Sequence, residues 1–445
     1  MNGRNSKSTR ALKAAEHRRT PRRWRVGYGG PKIRHAFGVR RRSGALDFPR
    51  GSAFRRQFLP ARRSRHAMKI VFAGTIGRSG LGGQAWASLQ YLLGFRALGH
   101  EVFYLEDCGI SSWVYNWEKE EWTTELDYPA AYVRDCLEPF GCRDNWVYRT
   151  NDRSVGAPLQ KLLDFCASAD LLIMRAVPFW VWRKEYDQPR RRAFIDVDPG
   201  FTQISIANGD AGLAQGVARC ERRFTLGQRI GAPDCPVPTV GGPWLKTLPP
   251  VFLPEWPFAE SDATHFTSVM RWQGFREATY KGVSYGQRDK EFPNFLDLPG
   301  RTLQKFQIAQ MGTEPALLKS RGWEVAPGEI ISRTPASYRE FIRNSRAEFS
   351  VPKNGYVKMR GGWFSDRSVC YLASGRPVLI EDTGLSDWLP VGGGVVTFHD
   401  LPEAIAGVEQ LNADYQRHRR AARQLAEEIF AAHRVLPALL EAAMT

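Results

Sequence analysis

No C-x-x-C pair, no H-x₃-H spacing and no apolar run of 18 residues occur in the chain. Each absence removes a class of function. Without paired or clustered ligands, a metal site has no support in the five histidines beyond residue 67 (His100, His265, His399, His418, His433). Without a long apolar run, nothing is expected to span a membrane. The seven cysteines are scattered and odd in number, which fits buried thiols in a reducing, cytoplasmic setting rather than a disulfide framework.

Acidic residues are almost missing from the first 67 positions, which hold 20 Lys+Arg against Glu16 and Asp47. Residues 68–445 carry 43 basic and 44 acidic side chains. The net charge of +17 therefore belongs to the leader. The leader is rich in Arg, Gly, Ser and Pro and poor in periodic apolar residues, so disorder is expected for 1–67. It also lacks the apolar stretch of a secretory signal. Met68-Lys69-Ile70-Val71-Phe72 reads as a natural beginning, with 1–67 an artefact of gene calling; a transit-like or nucleic-acid-binding arm is the other reading. The near-neutral body gives no reason to expect nucleic-acid binding.

The 378 residues of the body suggest two domains. Residues 68–74 form an apolar strand candidate, followed by glycines 74, 77, 80, 82 and 83, a helix over 84–98 with apolar three- and four-residue steps, and a strand over 101–105. That is the β–loop–α–β unit of a parallel sheet. Helices over 130–136 and 157–169 and strands over 170–175, 192–197 and 222–227 continue it. Seven prolines between 236 and 257 mark a stiff connection, which places the boundary between domains 68–255 and 256–445. The second half alternates again, with strands over 265–270, 305–309, 346–351 and 377–381. Helices are expected over 315–321, 335–344 and 363–373, and two or three more over 401–443.

Several groups of residues point to chemistry. The loop carrying Gly77, Gly80, Gly82 and Gly83 lets backbone amides and a helix N-terminus meet an anion. Its G-x-x-G-x-x-G-x-G-G spacing is not the tight dinucleotide fingerprint, and a turn shaped by packing is the alternative. In 353–384, Lys353, Arg360 and Arg367 surround a helix start that Ser365 or Asp366 would cap, a place suited to a pyrophosphate. Glu381-Asp382-Thr383-Gly384 ends the next strand, where open α/β sheets put ligands. Asp198, last before Pro199-Gly200, reads as a general base or sugar ligand, or as a plain turn cap. Trp113, Trp117, Trp122 and Trp146, with Trp180 and Trp182, read as a sugar-stacking platform or as lid and core packing.

Residues 353–384 resemble the donor-binding segment of the GT-B glycosyltransferases, whose motif runs roughly R-x-F-E-A-x-A-x-G-x-P-V. Arg367, Ala373, Gly375, Pro377 and Val378 match it at the right spacing. The first strand, Gly-rich loop, helix and Gly99-His100-Glu101-Val102 resemble the opening of the acceptor domain. The resemblance implies an α/β fold of two Rossmann-like domains facing a cleft. It also implies metal-independent transfer of a sugar from a nucleotide-sugar donor to a glycan, lipid or small-molecule acceptor, with no cofactor. By the same resemblance, Lys281 and Arg288 would grip the donor diphosphate. The family's paired glutamates fall here on Gly362 and Cys370, so Glu381 or Asp382 would have to supply the missing carboxylate. A catalytically silent relative that only binds nucleotide, and an NAD(P)-dependent oxidoreductase, are the alternatives.

Overall fold

The computed structural model describes residues 67–445 except 177, 178, 180, 275, 313 and 314. The expectation for the basic leader, save its last residue, and the mention of Trp180 fall outside the described residues. The described residues all lie in one compact unit.

The short apolar runs of the first half become strands β1 (Lys69–Ala73), β2 (Glu101–Asp107), β3 (Val114–Asn116), β4 (Glu121–Thr123), β5 (Trp146–Arg149), β6 (Ser154–Gly156), β7 (Leu171–Arg175), β8 (Arg191–Asp196), β9 (Arg222–Thr225) and β10 (Leu245–Lys246). Eight of them form one sheet in the order β10-β9-β8-β7-β1-β2-β5-β6. Every pair in it is parallel except β5–β6. β3 and β4 form a separate antiparallel hairpin hung from the end of β2. Helices cover both faces of the large sheet, so β1 after Lys69 and the whole of β7 are buried and read as near-continuous apolar runs.

The second half contributes β11 (His265–Arg271), β12 (Ala278–Tyr280), β13 (Val283–Tyr285), β14 (Lys305–Met311), β15 (Glu324–Pro327), β16 (Ala347–Ser350), β17 (Val378–Glu381) and β18 (Val395–Phe398). Six form an all-parallel sheet in the order β15-β14-β11-β16-β17-β18, and β12–β13 is a small hairpin. An aromatic cluster including Phe295, Phe306, Trp323, Phe349 and Phe398 fills one face of this sheet. β15 and β18 were not foreseen from the sequence: each is four residues long and lies at a sheet edge, so neither carries a strong periodic signal.

In both sheets the chain order reverses beside a central strand. β1 lies between β7 and β2, and β11 lies between β14 and β16. These are the positions at which open parallel sheets form a ligand crevice beyond their carboxyl ends. The two halves touch through close backbone approach. Gly82 donates its amide to the Ser332 carbonyl, and the Trp86 indole donates to the Pro335 carbonyl at 2.7 Å.

Of the terminal helices, Leu401–Ala413 and Tyr415–Leu425 pack on the second half as expected, but the last one does not. The last helix, Ala432–Met444, buries Leu436 and Leu440 and packs against the helix Gly82–Ala97 of the first half. A Cβ on Gly94 would lie 2.4 Å from Leu436 Cδ1, so glycine there permits the close crossing. The chain passes back between the halves beside its own first crossing. Val251 donates to the Phe430 carbonyl and Ala432 donates to the Val251 carbonyl, both at 2.8 Å. Among the described residues, no helix is long and apolar enough to cross a membrane.

Candidate active site

The carboxyl ends of β7 and β8 present Arg175 and, one turn later, Asp198. The carboxyl ends of β11 and β16 present Arg271 and Lys353. The structure brings Asp198 and Lys353 together across the two halves. Asp198 Oδ1 accepts from Lys353 Nζ at 2.8 Å and from the Tyr356 hydroxyl at 2.6 Å. Burial works to raise the Asp198 pKa, but Lys353, Tyr356 and Arg175 outweigh it and hold the carboxyl below its ordinary value. Burial lowers the Lys353 pKa against the opposing pull of Asp198. The Lys353 ammonium also sits over the Phe201 and Tyr356 rings, at 5.4 and 5.1 Å.

Arg288 opens a short helix, Arg288–Glu291, beside the same crevice. Its Nε donates to the Val351 carbonyl at 2.9 Å and its Nη1 to the Arg271 carbonyl at 3.2 Å. Both acceptors lie at strand ends, so the guanidinium is fixed at the lip of the second sheet. Burial, with Arg367 nearby, lowers its pKa to about 10. Lys281 lies elsewhere: it is exposed at the β12–β13 turn, with its ammonium 5.4 Å from the Tyr280 ring.

Arg367 is placed differently from the sequence expectation of a guanidinium reaching into the cleft. It is buried beneath the helix Asp366–Ala373. Its Nε pairs with Glu348, its Nη1 donates to the Val269 carbonyl at 3.0 Å, and its Nη2 donates to Ser350 Oγ at 2.8 Å. All three nitrogens are used to tie the helix to β11 and β16. Ser365 caps that helix, accepting from the Arg367 amide at 3.2 Å, and Asp366 Oδ1 accepts from the same amide at 2.9 Å. Asp366 Oδ2 faces Arg175 Nη2 at 3.3 Å.

Arg175 is the residue that sequence reading missed. It is 4% exposed, yet its Nε and Nη1 have no hydrogen-bond partner among the described residues. It lines a cavity of about 10 Å³ between the halves, together with Gly83, Gln90, Tyr91, Asp366 and Cys370. The Tyr91 hydroxyl there is likewise without a hydrogen-bond partner. Buried guanidinium donors without acceptors are costly, so this corner suits an oxygen-bearing partner, of which a space this small admits one water. The only sequence signal was a cation as the last residue of an otherwise apolar strand.

The Gly-rich loop is also used internally. Glu106 accepts from the amides of Gly77 at 2.9 Å and Arg78 at 2.6 Å, and from the Tyr104 hydroxyl at 2.8 Å. The protein's own carboxylate therefore holds the first amides of the expected anion loop. Gly80 adopts φ +58° and closes the first turn. A Cβ on Gly82 would lie 2.1 Å from the Thr334 carbonyl oxygen, and one on Gly83 would meet the Tyr338 ring at 3.0 Å. These two glycines serve the docking of the halves.

The strand-end segment 381–384 divides. Asp382 caps its own turn, accepting from the Gly384 amide at 2.9 Å and from Ser386 Oγ at 2.7 Å. Thr383 is buried and donates to the Trp363 carbonyl. Gly384 lies against the Arg360 carbonyl. The Arg360 side chain is half-exposed, 3.9 Å from Asp387. Glu381 alone faces another acid. Burial first, then Glu291, raises its pKa to about 10, and among the described residues its Oε2 has no hydrogen-bond partner. Asp196 is structural: it is fully buried and accepts from Thr202, Gln203 and Thr225. Among the described residues, no group of three or more His, Cys, Asp or Glu is placed to hold a metal ion.

Residues 295–436 match the glycosyl transferase-like family Glyco_trans_1_2. No curated protein matches the chain in sequence. Among solved structures, an alpha-glucosyltransferase in complex with UDP is 13% identical, with a TM-score of 0.52 over 85% of this chain and 100% of the other. The same enzyme with UDP and a 13-mer DNA containing a HMU base is 14% identical, at TM-score 0.52 over the same shares. HepE from Anabaena, in complex with UDP and glucose, is 13% identical, with a TM-score of 0.50 over 84% of this chain and 98% of the other. The chain has the GT-B fold, and five of the six strands of its second sheet, all but β11, lie within a glycosyl transferase-like segment.

Proposed function

We propose that the chain transfers a sugar from a nucleoside-diphosphate sugar to a hydroxyl acceptor, without a metal ion. The observation that carries this reading is the meeting of the two sheet switch points. Arg175 from one side, and Lys353 and Arg288 from the other, surround Asp198. Three cations at a crevice suit a diphosphate. The Ser365-capped helix start adds its dipole beside them. Uridine diphosphate sugars are the first donors to test, because UDP accompanies the structural neighbours.

In this reading the acceptor oxygen attacks the anomeric carbon, and the bond from that carbon to the diphosphate oxygen breaks. The bonding electron pair leaves on the diphosphate, where Arg175, Lys353 and Arg288 balance its charge. Asp198 receives the hydroxyl proton. Held by Lys353 its depressed pKa makes it a weak base. A bound diphosphate draws the Lys353 ammonium away, which raises the Asp198 pKa and makes it a better one. Donor binding and base activation are thereby linked. Arg367 acts as a positioning residue, and Glu381 faces the donor side as a neutral acid.

The test is a thermal-shift series on the full chain with UDP-, GDP-, ADP- and dTDP-linked sugars. A ligand that binds only the folded state raises the melting temperature. The expected result is a rise with at least one sugar nucleotide that Lys353→Ala and Arg175→Gln diminish. No rise with any of them would overturn the reading. A rise without turnover in the presence of acceptors would leave a nucleotide-binding protein.

A further inference from the structure

The β3–β4 hairpin has its faces inverted relative to an ordinary surface hairpin. Side chains alternate across a strand pair. Here the face turned inward carries Val114, Asn116 and Thr123, while the outward face carries Trp113, Tyr115, Trp117 and Trp122. Trp113 and Trp122 are 48% and 43% exposed and lie parallel, with ring centroids 5.7 Å apart and planes inclined by 7°. Tyr115 stands edge-on to both Trp117 and Trp122, at 4.6 and 5.6 Å. Ile110, in the lead from β2, is 74% exposed. Burying such rings would be favourable, so a patch held open toward solvent marks a contact surface.

The patch is held in place. Asn116 Oδ1 accepts from the amides of Glu118 and Lys119, which shapes the turn. The Trp117 amide donates to the Tyr128 hydroxyl at 3.0 Å. The Trp117 carbonyl accepts from Arg333 of the other half at 3.3 Å. The platform therefore spans the line where the halves meet. It hangs from the carboxyl end of β2, on the edge of the sheet that also carries Arg175 and Asp198. β2 lies three strand spacings from β8, roughly 14 Å at about 4.8 Å each.

Charge selects the occupant. Glu118, Glu120, Glu121 and Glu125, in the hairpin and just past it, are exposed and give it an acidic rim, while Lys119 is paired with Glu125. This rim repels nucleic acid and anionic membrane. A neutral sugar suits it: the C–H face of a pyranose meets the negative face of an indole, and its hydroxyls donate to carboxylates. We propose that this hairpin binds a neutral oligosaccharide acceptor, seating sugar units remote from the reacting hydroxyl. The proposal rests on the glycosyltransferase reading and adds the acceptor class to it.

The test is retention of the full chain on an array of neutral gluco-, manno- and galacto-oligosaccharides of graded length, with the UDP thermal shift measured in parallel. The expected result is retention that grows with oligomer length. It falls at least tenfold in Trp113→Ala/Trp122→Ala, is restored in part in Trp113→Phe/Trp122→Phe, and leaves the UDP shift unchanged in both variants. Absence of retention by the wild type, or equal retention by the Ala variant, overturns the proposal. So does binding to phosphatidylcholine vesicles, or self-association, that the Ala variant alone loses while no glycan is held. A UDP shift without glycan retention rejects this inference and spares the proposed function; loss of the UDP shift in the wild type strikes the function itself.

Discussion

Asp198 and Lys353 stand 155 positions apart in sequence and form one 2.8 Å ion pair that joins the carboxyl edges of the two sheets. Replacing Asp198 with Asn releases the Lys353 ammonium for the donor. The expected outcome is UDP affinity that holds or rises while transfer falls by about 10²–10⁴, the usual worth of a positioned acid or base. Calorimetry with UDP beside a turnover assay separates the two effects. Lys353→Ala acts in the opposite sense, weakening UDP binding and raising the Asp198 pKa.

Two arginines near the crevice answer differently to mutation. Arg367→Ala leaves Glu348 buried without its cation and removes two further hydrogen bonds. The expected cost is about 3–5 kcal/mol of stability, the range for one partner lost from a buried pair. Arg175→Gln removes a guanidinium that has two donors without acceptors. Its expected effect is unchanged or raised stability with UDP affinity reduced about tenfold, one charge-assisted hydrogen bond's worth. Urea unfolding of both variants, with and without UDP, checks the contrast.

Glu381 has a pKa raised to about 10 in the fold, well above its unfolded value. The folded state therefore holds an extra proton between roughly pH 4.5 and 10, and stability falls as pH rises through that window. Glu381→Gln removes this loss. The variant should match the wild type near pH 4 and melt higher at pH 8, by roughly 2 °C or more if 1 kcal/mol is recovered. A melting-temperature difference that does not grow with pH would count against the buried acid pair with Glu291.

Gly82→Ala places a methyl group within 2.1 Å of the Thr334 carbonyl oxygen. The backbone on both sides must shift, at an expected cost of about 1–3 kcal/mol. Gly80→Ala meets only the Trp117 indole, at 3.5 Å, but must hold φ +58°. Its cost should be about 1 kcal/mol, from backbone strain alone. Denaturant midpoints of the two variants distinguish packing from conformation.

The parallel sheets were legible because both faces of β1, β7, β11 and β17 are covered, and covered strands write themselves as apolar runs. The doubly wound architecture and the Ser365 cap follow from such local signals. The side-chain partners did not. Arg367 stands in the right motif, but whether its guanidinium faces the cleft or Glu348 is decided by β16, nineteen positions earlier. Glu106 was one of several acids at a strand end, and only the fold shows it capping Gly77 and Arg78. Arg175 was hidden because a lone cation after an apolar strand is ordinary in sequence. Its meaning arises when the second half brings Asp366 to 3.3 Å and its described residues supply no acceptor for the other two nitrogens. The tryptophan cluster was visible, but the side of the hairpin it occupies depends on which of Val114 and Tyr115 faces the core.

The backbone joins the lobes at two places that grip each other, with Val251 laid between Phe430 and Ala432. A paired junction of this kind is suited to serve as an axle, about which the lobes would swing along one short line instead of drifting apart. In the proposed reading, a swing about that line that parts Asp198 from Lys353 would make admission of the donor and release of the base one movement.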